Sequence, residues 1–342
     1  MLLEQILRCS DVFDIFNWTS SFEPSQERKA TNVQVAIIGA GAVGKWLAGI
    51  HMQAGVKTGL ICKNSQQAKA VQQSGIQVMD TVSGRTNEYP VDCIAWEHVT
   101  AATVAAVKVW IVSVKTYQWP VFYELWSRNV EPFLQASPLV VAVHNGFVDY
   151  RQVSPKIAAR RIIRSVLTYG VTAEEARSVQ IRGNGVWTLE QPSDLHDSQT
   201  FQNWVEAIKP RVNITVTSDI DSAIWRKLLV NSCVNPVTAL AKLENGVAWE
   251  NPHAHPMMVA LAKEAQEVSR LKYGMELVEL LPYIQQVCTD TYYNRSSMLQ
   301  DLLAGRKTEI DALNGRILQL AKEYGLKAMH HQIMYDLIKA QE

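Results

Sequence analysis

From Val33 onward the chain alternates short apolar runs with longer segments of helical spacing, and past position 220 the short runs give way to helix-like patterning alone. "VQVAIIGAGAVGKWLAGIHMQAG" reads as an apolar strand, a glycine turn and an amphipathic helix, and "VKTGLIC" follows at the distance a βαβ unit needs. "AVKVWIVSVKTYQ" (106–118), "PLVVAVHNGFVDY" (138–150) and "RIIRSVLTYGVTAEEA" (161–176) are further strand candidates, the first two ending in polar residues. Strands alternating with helical segments predict a largely parallel sheet, where ligands gather at the carboxyl ends of the strands. Beyond "RVNITVTSDI" (211–220) nearly everything has helical periodicity, broken by Pro236, "ENG" (244–246), "NPHAHP" (251–256) and Gly305. The expected architecture is an α/β Rossmann-type domain over 32–215, mainly parallel, and an all-α domain over 216–342. Residues 1–31 fit neither and predict a peripheral N-terminal extension: charged residues interrupt the apolar positions, which argues against a signal peptide.

Composition narrows the partners. The 342 residues suffice for two domains, and 47% hydrophobic content suffices for their cores. Lys plus Arg total 33, as do Asp plus Glu, so no charge excess points to a nucleic acid or an anionic membrane. No apolar run reaches the roughly 18 residues of a membrane span. Five scattered cysteines without a CxxC pair suit free thiols in a reducing cytoplasm. "HAH" (253–255) and "HH" (330–331) have no acidic or cysteine partner at ligand spacing, so they read as solvated helix-terminal histidines and no metal is expected.

The glycine turn carries the first chemistry. "GAGAVG" sets Gly39, Gly41 and Gly44 at GxGxxG spacing, with Ala40, Ala42 and Val43 between them, directly after a strand and opening a helix. The first glycine permits the turn, the second admits a pyrophosphate, and the third allows close helix–sheet packing, with phosphate at the helix N-terminus. An NAD site usually has an acid about 20 positions on for the ribose 2′-hydroxyl. Here "GLICKNSQQ" offers Lys63, Asn64 and Ser65 instead, which suits the 2′-phosphate of NADP; a solvated loop lysine is the alternative.

A second feature is a polar stripe. In "WRKLLVNSCVNP" (225–236), Lys227, Asn231 and Asn235 recur every four residues among apolar neighbours, drifting about 40° per step around a helix. An unpaired amide costs roughly 1–3 kcal/mol to bury, and an ammonium more. Either these groups bond within the core and snorkel, or they line a polar ligand; spacing alone leaves both open. Lys115 and Asn145 sit just past apolar runs, where strand ends would meet a cleft, although a solvated lysine and a turn asparagine have the same pattern.

Taken together, "GAGAVG", "VSVKTYQ", "VHNG", "IWRKLLVNSCVNPVTAL", "ENG" and "NRSSMLQDLLAGRKTEIDALNG" resemble, in this order and over about residues 33–340, the ketopantoate reductases (2-dehydropantoate 2-reductases). The resemblance implies a helical domain like the C-terminal domain of 6-phosphogluconate dehydrogenase. It also implies reduction of the 2-keto acid 2-dehydropantoate by NADPH to (R)-pantoate, toward pantothenate and coenzyme A. Lys227 would be the proton donor, with Asn231, Asn235, Asn245, Asn294 and Ser297 on the substrate. Asn145 would lie between cofactor and substrate, Lys115 and the backbone of Val171 would touch the cofactor, and Glu309 would orient Lys227 or bind the nicotinamide ribose. Ser297 with Gln300 also fits an S-x-x-Q capping box, so a helix N-cap role is expected beside the substrate role. A surface Glu309 paired with Arg306 or Lys307 is the alternative for that residue. Desolvation lowers a lysine pKa and a nearby carboxylate raises it, so the sign for Lys227 is open at this stage. A reductase of another branched 2-keto acid and an NADP-binding sensor are the rival readings, and a monomer or homodimer is expected.

Overall fold

The computed structural model describes residues 34–81, 83–134, 138–150, 162–173, 177–193, 195–273 and 280–342, so the predicted extension over 1–31 lies outside the described residues. Runs of β-branched residues build the centre: β1 (Gln34–Ile38), β2 (Lys57–Cys62), β6 (Val109–Val112), β7 (Leu139–Val143) and β8 (Ile162–Leu167) are almost wholly buried. Strands covered on both faces need no polar alternation, and that is why β6 and β7 are unbroken apolar runs and the other three are largely apolar. With β5 (Asp92–Ala95), β11 (Trp187–Glu190) and β12 (Ile214–Thr217) they form one sheet in the order β12-β11-β8-β7-β6-β1-β2-β5. All neighbours in it are parallel except β11 and β8.

A second sheet, β4-β3-β10-β9, has no counterpart in the sequence reading beyond Gly170 to Ala173, which falls in β9. Its strands β3 (Ile76–Asp80), β4 (Thr86–Tyr89) and β10 (Ser178–Arg182) carry polar residues such as Gln77, Glu88 and Gln180, because much of this sheet faces water. Helix α1 (Ala42–Gln53) packs between the two sheets. Its His51 is fully buried, bonded through Nδ1 to Leu47 O at 2.7 Å, and accepts at Nε2 from Trp204 Nε1 at 2.9 Å.

The helical part begins at Asp219, whose carboxylate caps the helix Ile220–Ala241. This long helix packs against helices 255–273, 297–303 and 329–339, with Trp225, Leu228, Leu229 and Cys233 in their common core. Pro236 does not end it, contrary to the break expected there. A proline leaves the carbonyl four residues back without its helical donor. Here Ser232 O accepts instead from Asn314 Nδ2 at 3.0 Å, so the helix passes through the proline with that group satisfied. The same Asn314 bonds His331 Nδ1 at 2.9 Å, and His331 is completely buried rather than solvated. His330 pairs with Glu264 at 2.7 Å, an acid 66 positions away and invisible to local spacing. Among the described residues no helix is long and apolar enough to cross a membrane. No group of three His, Cys, Asp or Glu among them could hold a metal.

Burial pushes His51 and His331 each down to about 4, so both stay neutral in the folded chain near neutrality. The unfolded chain takes up these protons near pH 6.5. Because the folded values lie lower, the stability they contribute is complete above about pH 6.5 and is lost as pH falls toward 4. Urea midpoints between pH 7 and 4.5 should fall, and His51→Gln should flatten part of that slope. A slope unchanged in this variant would remove His51 from the account.

Candidate active site

At the dinucleotide end, the glycine turn is tightly specified. Gly39 leaves β1 at φ +104°, a conformation side chains resist. A Cβ on Gly44 would lie 1.8 Å from Gly39 O and 2.7 Å from Ser113 Oγ, so only glycine lets α1 approach the strand this closely. A Cβ on Gly41 would meet nothing within 4 Å, which leaves open approach to the backbone where α1 begins. The first turn of α1 has no acidic residue, and the Ser113 hydroxyl ties Ile38 O and Gly39 O to the end of β6. Bare N–H groups, open space and an uncompensated helix N-terminus fit a pyrophosphate. Ala42 and Val43 lie in that first turn, with Ala40 buried behind it.

The three groups expected at the end of β2 are differently engaged. Asn64 accepts from Gln67 N at 2.9 Å and caps helix α2 (Ser65–Ser74), while Lys63 is exposed. Ser65 gives both its N–H and its hydroxyl to Glu97, at 3.1 and 2.5 Å. Val171 lies in β9 of the second sheet, half-buried against the core around α1.

The cleft between the domains is organised by Glu309, which is 4% exposed. It accepts from Thr116 N at 3.1 Å and from Asn145 Nδ2 at 3.1 Å, and lies 3.5 Å from Lys115 Nζ. The surface pairing with Arg306 or Lys307 does not occur: Arg306 pairs with Asp301 and Lys307 with Asp311. Asp301, only 3% exposed, takes Lys115 Nζ at 2.7 Å. Burial pulls the Lys115 ammonium down, yet Glu309 and Asp301 together outweigh it, and its pKa stands above the ordinary value. The sequence reading missed Asp301, although its helical spacing of four from Ser297 carried the signal.

Lys227 has the opposite environment. Its Nζ donates to Leu167 O, at the end of β8, and makes no ion pair among the described residues. Burial lowers it to about 8, with Glu309 opposing only partly, which settles the sign that the sequence leaves open. One turn on, the side chains of Asn231 and Asn235 have no hydrogen-bond partner among the described residues. Asn245 donates to Thr291 Oγ1 at 2.9 Å, and its own Oδ1 is buried without a partner among the described residues. Asn245 N also bonds Asn294 O at 2.9 Å, which holds these two asparagines together, and Asn294 Nδ2 lies against Gly170 of β9.

One assignment shifts by a residue. Ser296, not Ser297, caps helix 297–303: its Oγ accepts from Leu299 N at 3.2 Å and from the Thr238 hydroxyl at 2.8 Å. Ser297 is the first helical residue, half-buried, and Gln300 bonds Arg295 O rather than closing a capping box. A second serine beside the first made the two registers indistinguishable by motif. His144 adjoins the same cleft and shares a 2.5 Å bond with Tyr150.

A glycine turn fit for a dinucleotide and a half-buried lysine of lowered pKa at the end of β8 are the features of a nicotinamide-nucleotide-dependent oxidoreductase. The chain belongs to the ketopantoate reductase family. The family profile "Ketopantoate reductase PanE/ApbA" matches residues 35–194, and its C-terminal counterpart matches 219–342. A 2-dehydropantoate 2-reductase from Pyrobaculum aerophilum is 32% identical over 68% of this chain and 76% of its own length. Another from Archaeoglobus fulgidus is 26% identical over 90% of this chain and 98% of its own. The crystal structure of the ketopantoate reductase from Ralstonia eutropha superposes with a TM-score of 0.76 at 22% identity, covering 90% of this chain and 98% of that one. D-mandelate dehydrogenase, solved with NADH and anilino(oxo)acetate, shares the fold at a TM-score of 0.79 and 21% identity, with the same coverage.

The two helix-proximal glycines separate fold from ligand. Gly44→Ala must displace backbone and should cost about 3 kcal/mol or more in urea unfolding. Gly41→Ala should leave the unfolding midpoint within about 0.5 kcal/mol and weaken dinucleotide binding roughly tenfold or more, read by fluorescence titration. Equal affinity for wild type and Gly41→Ala would mean that no phosphate approaches there.

Proposed function

We propose that this chain reduces 2-dehydropantoate to (R)-pantoate with NADPH, a step toward pantothenate and coenzyme A, in the cytoplasm. The observation that carries the reading is Lys227: a half-buried ammonium of pKa about 8, without an ion pair among the described residues, on a helix whose next two turns carry Asn231 and Asn235. The names of the relatives, 2-dehydropantoate 2-reductase, support the substrate.

A bound nicotinamide supplies the hydride. Lys227 does the remaining acid work: its ammonium offers a hydrogen bond where negative charge would develop on a keto oxygen, and then gives up a proton. A value near 8 keeps most of it protonated at neutral pH while making the proton easier to surrender than from an ordinary lysine. Asn231, Asn235 and the free Oδ1 of Asn245 supply uncharged donors and acceptors for hydroxyl groups of the substrate. The Ser297 hydroxyl at the start of its helix, with Asn294 beside it, suits the carboxylate. Asn145, held by Glu309, reaches between the two ligands, and Lys115, held by Asp301 and Glu309, faces the cofactor. Lys63 at the end of β2 supports the 2′-phosphate of NADPH. A monomer or homodimer is the expected assembly, and a relative of the fold from Staphylococcus aureus is described as a dimeric ketopantoate reductase.

Loss of absorbance by NADPH with 2-dehydropantoate tests the proposal. Lys227→Ala should lower turnover by roughly 10²–10⁴-fold. For wild type, kcat/KM in the direction of reduction should be flat below about pH 8 and fall tenfold per unit above it, as the acid form is lost. Cofactor oxidation with a different branched 2-keto acid but not with 2-dehydropantoate would move the substrate assignment within the same chemistry. Binding without turnover of any 2-keto acid would sink the reductase reading.

A further inference from the structure

Dinucleotide folds that prefer a free ribose place an acid at the carboxyl end of the second strand, about 20 residues past the glycine turn. This chain has none there, and Lys63 stands in its place. The fold, however, brings one in from elsewhere. Strands β2 and β5 are parallel neighbours with Cys62 opposite Ala95, so Lys63–Ser65 and Trp96–His98 leave the sheet side by side. Glu97 then takes both donors of Ser65, the hydroxyl at 2.5 Å and the N–H at 3.1 Å. Bonding from the Ser65 hydroxyl holds its carboxyl below the usual range, so it is ionised at neutral pH.

Resting on the cofactor assignment above, we infer that Glu97 is a specificity-determining residue that holds back the 2′-phosphate and keeps NADH in competition with NADPH. A dianionic phosphate at this strand end would find Ser65 already satisfied and would sit beside a carboxylate of like charge. The Asn64 oxygen caps α2, so that side chain can offer a phosphate only its neutral amide N–H. Lys63 is the charge that attracts the phosphate, and Glu97 is the charge that opposes it. A ribose with two hydroxyls has no such conflict: it can donate to the carboxylate that a phosphate must displace. Lys63 and Glu97 therefore act as opposed charges on one subsite, and the balance yields dual cofactor use rather than strict selection.

The test is a fluorescence titration of NADH and NADPH against wild type and Glu97→Gln, without any keto acid, at low and high salt. Wild-type affinities for the two cofactors should lie within about tenfold of each other, and Glu97→Gln should tighten NADPH roughly tenfold while leaving NADH equal or weaker. Since both charges are exposed, the gain should shrink at high salt. Lys63→Ala should weaken NADPH alone. An unchanged ratio of the two affinities in Glu97→Gln, or a wild type that binds neither cofactor, overturns the inference. Binding of both cofactors without reduction of a keto acid would count against the proposed reaction only, since the ratio is read before any turnover.

Discussion

A buried carboxylate must be matched by donors and countercharge, or its desolvation is not repaid. Glu309 meets that constraint by drawing on the other domain for every partner the structure gives its carboxylate: the Thr116 amide, the Asn145 carboxamide and the Lys115 ammonium. Its own segment belongs to the helical part, so satisfying this group fixes how the two domains face each other. Asp301 adds to the same tie by holding Lys115 from the opposite side, and Arg164 makes a second one, joining Glu190 of β11 to Asp221 at the start of the long helix. The cleft is therefore set by charge compensation across it.

That arrangement also separates two half-buried lysines that both feel Glu309. Lys115 has two carboxylates within 3.5 Å and is held firmly cationic. Among the described residues Lys227 has only a backbone carbonyl as partner, feels Glu309 without pairing to it, and drops to about 8. Environments that push two like groups apart in acidity assign them different work. A lysine locked in an ion pair is suited to holding an anionic or polar ligand, whereas a desolvated one is suited to moving a proton. Had Glu309 paired directly with Lys227, the acid would have been too weak for neutral pH; without Glu309, burial would have pulled it lower still.

How much of this was legible in the sequence depends on the range of the interaction involved. The glycine turn, the apolar runs of the central strands and the four-residue stripe Lys227–Asn231–Asn235 are all local patterns, and they are read directly. The second sheet was not, since its half-exposed strands lack apolar runs. Interactions between distant positions were invisible in the same way: Glu97 with Ser65 across β2 and β5, Asp301 with Lys115, and His331 with Asn314. Ser296 for Ser297 is a different failure, where a motif allowed two registers and only the buried contact to Thr238 selects one.

The long helix shows why polar groups persist in a packed domain. Pro236 leaves the Ser232 carbonyl without its helical donor, and the fold answers with the buried amide of Asn314. Thr238 returns its hydroxyl to Val234 O and Asn235 O, and reaches Ser296 as well. The Ser232 carbonyl and the Thr238 hydroxyl are thus matched within the chain. On the same helix Asn231 and Asn235 lie one and two turns from Lys227, and among the described residues their side chains make no hydrogen bond. A helix stabilised only by packing would have apolar residues at those positions; the chain forgoes that gain, the pattern expected where selection acts on something other than stability.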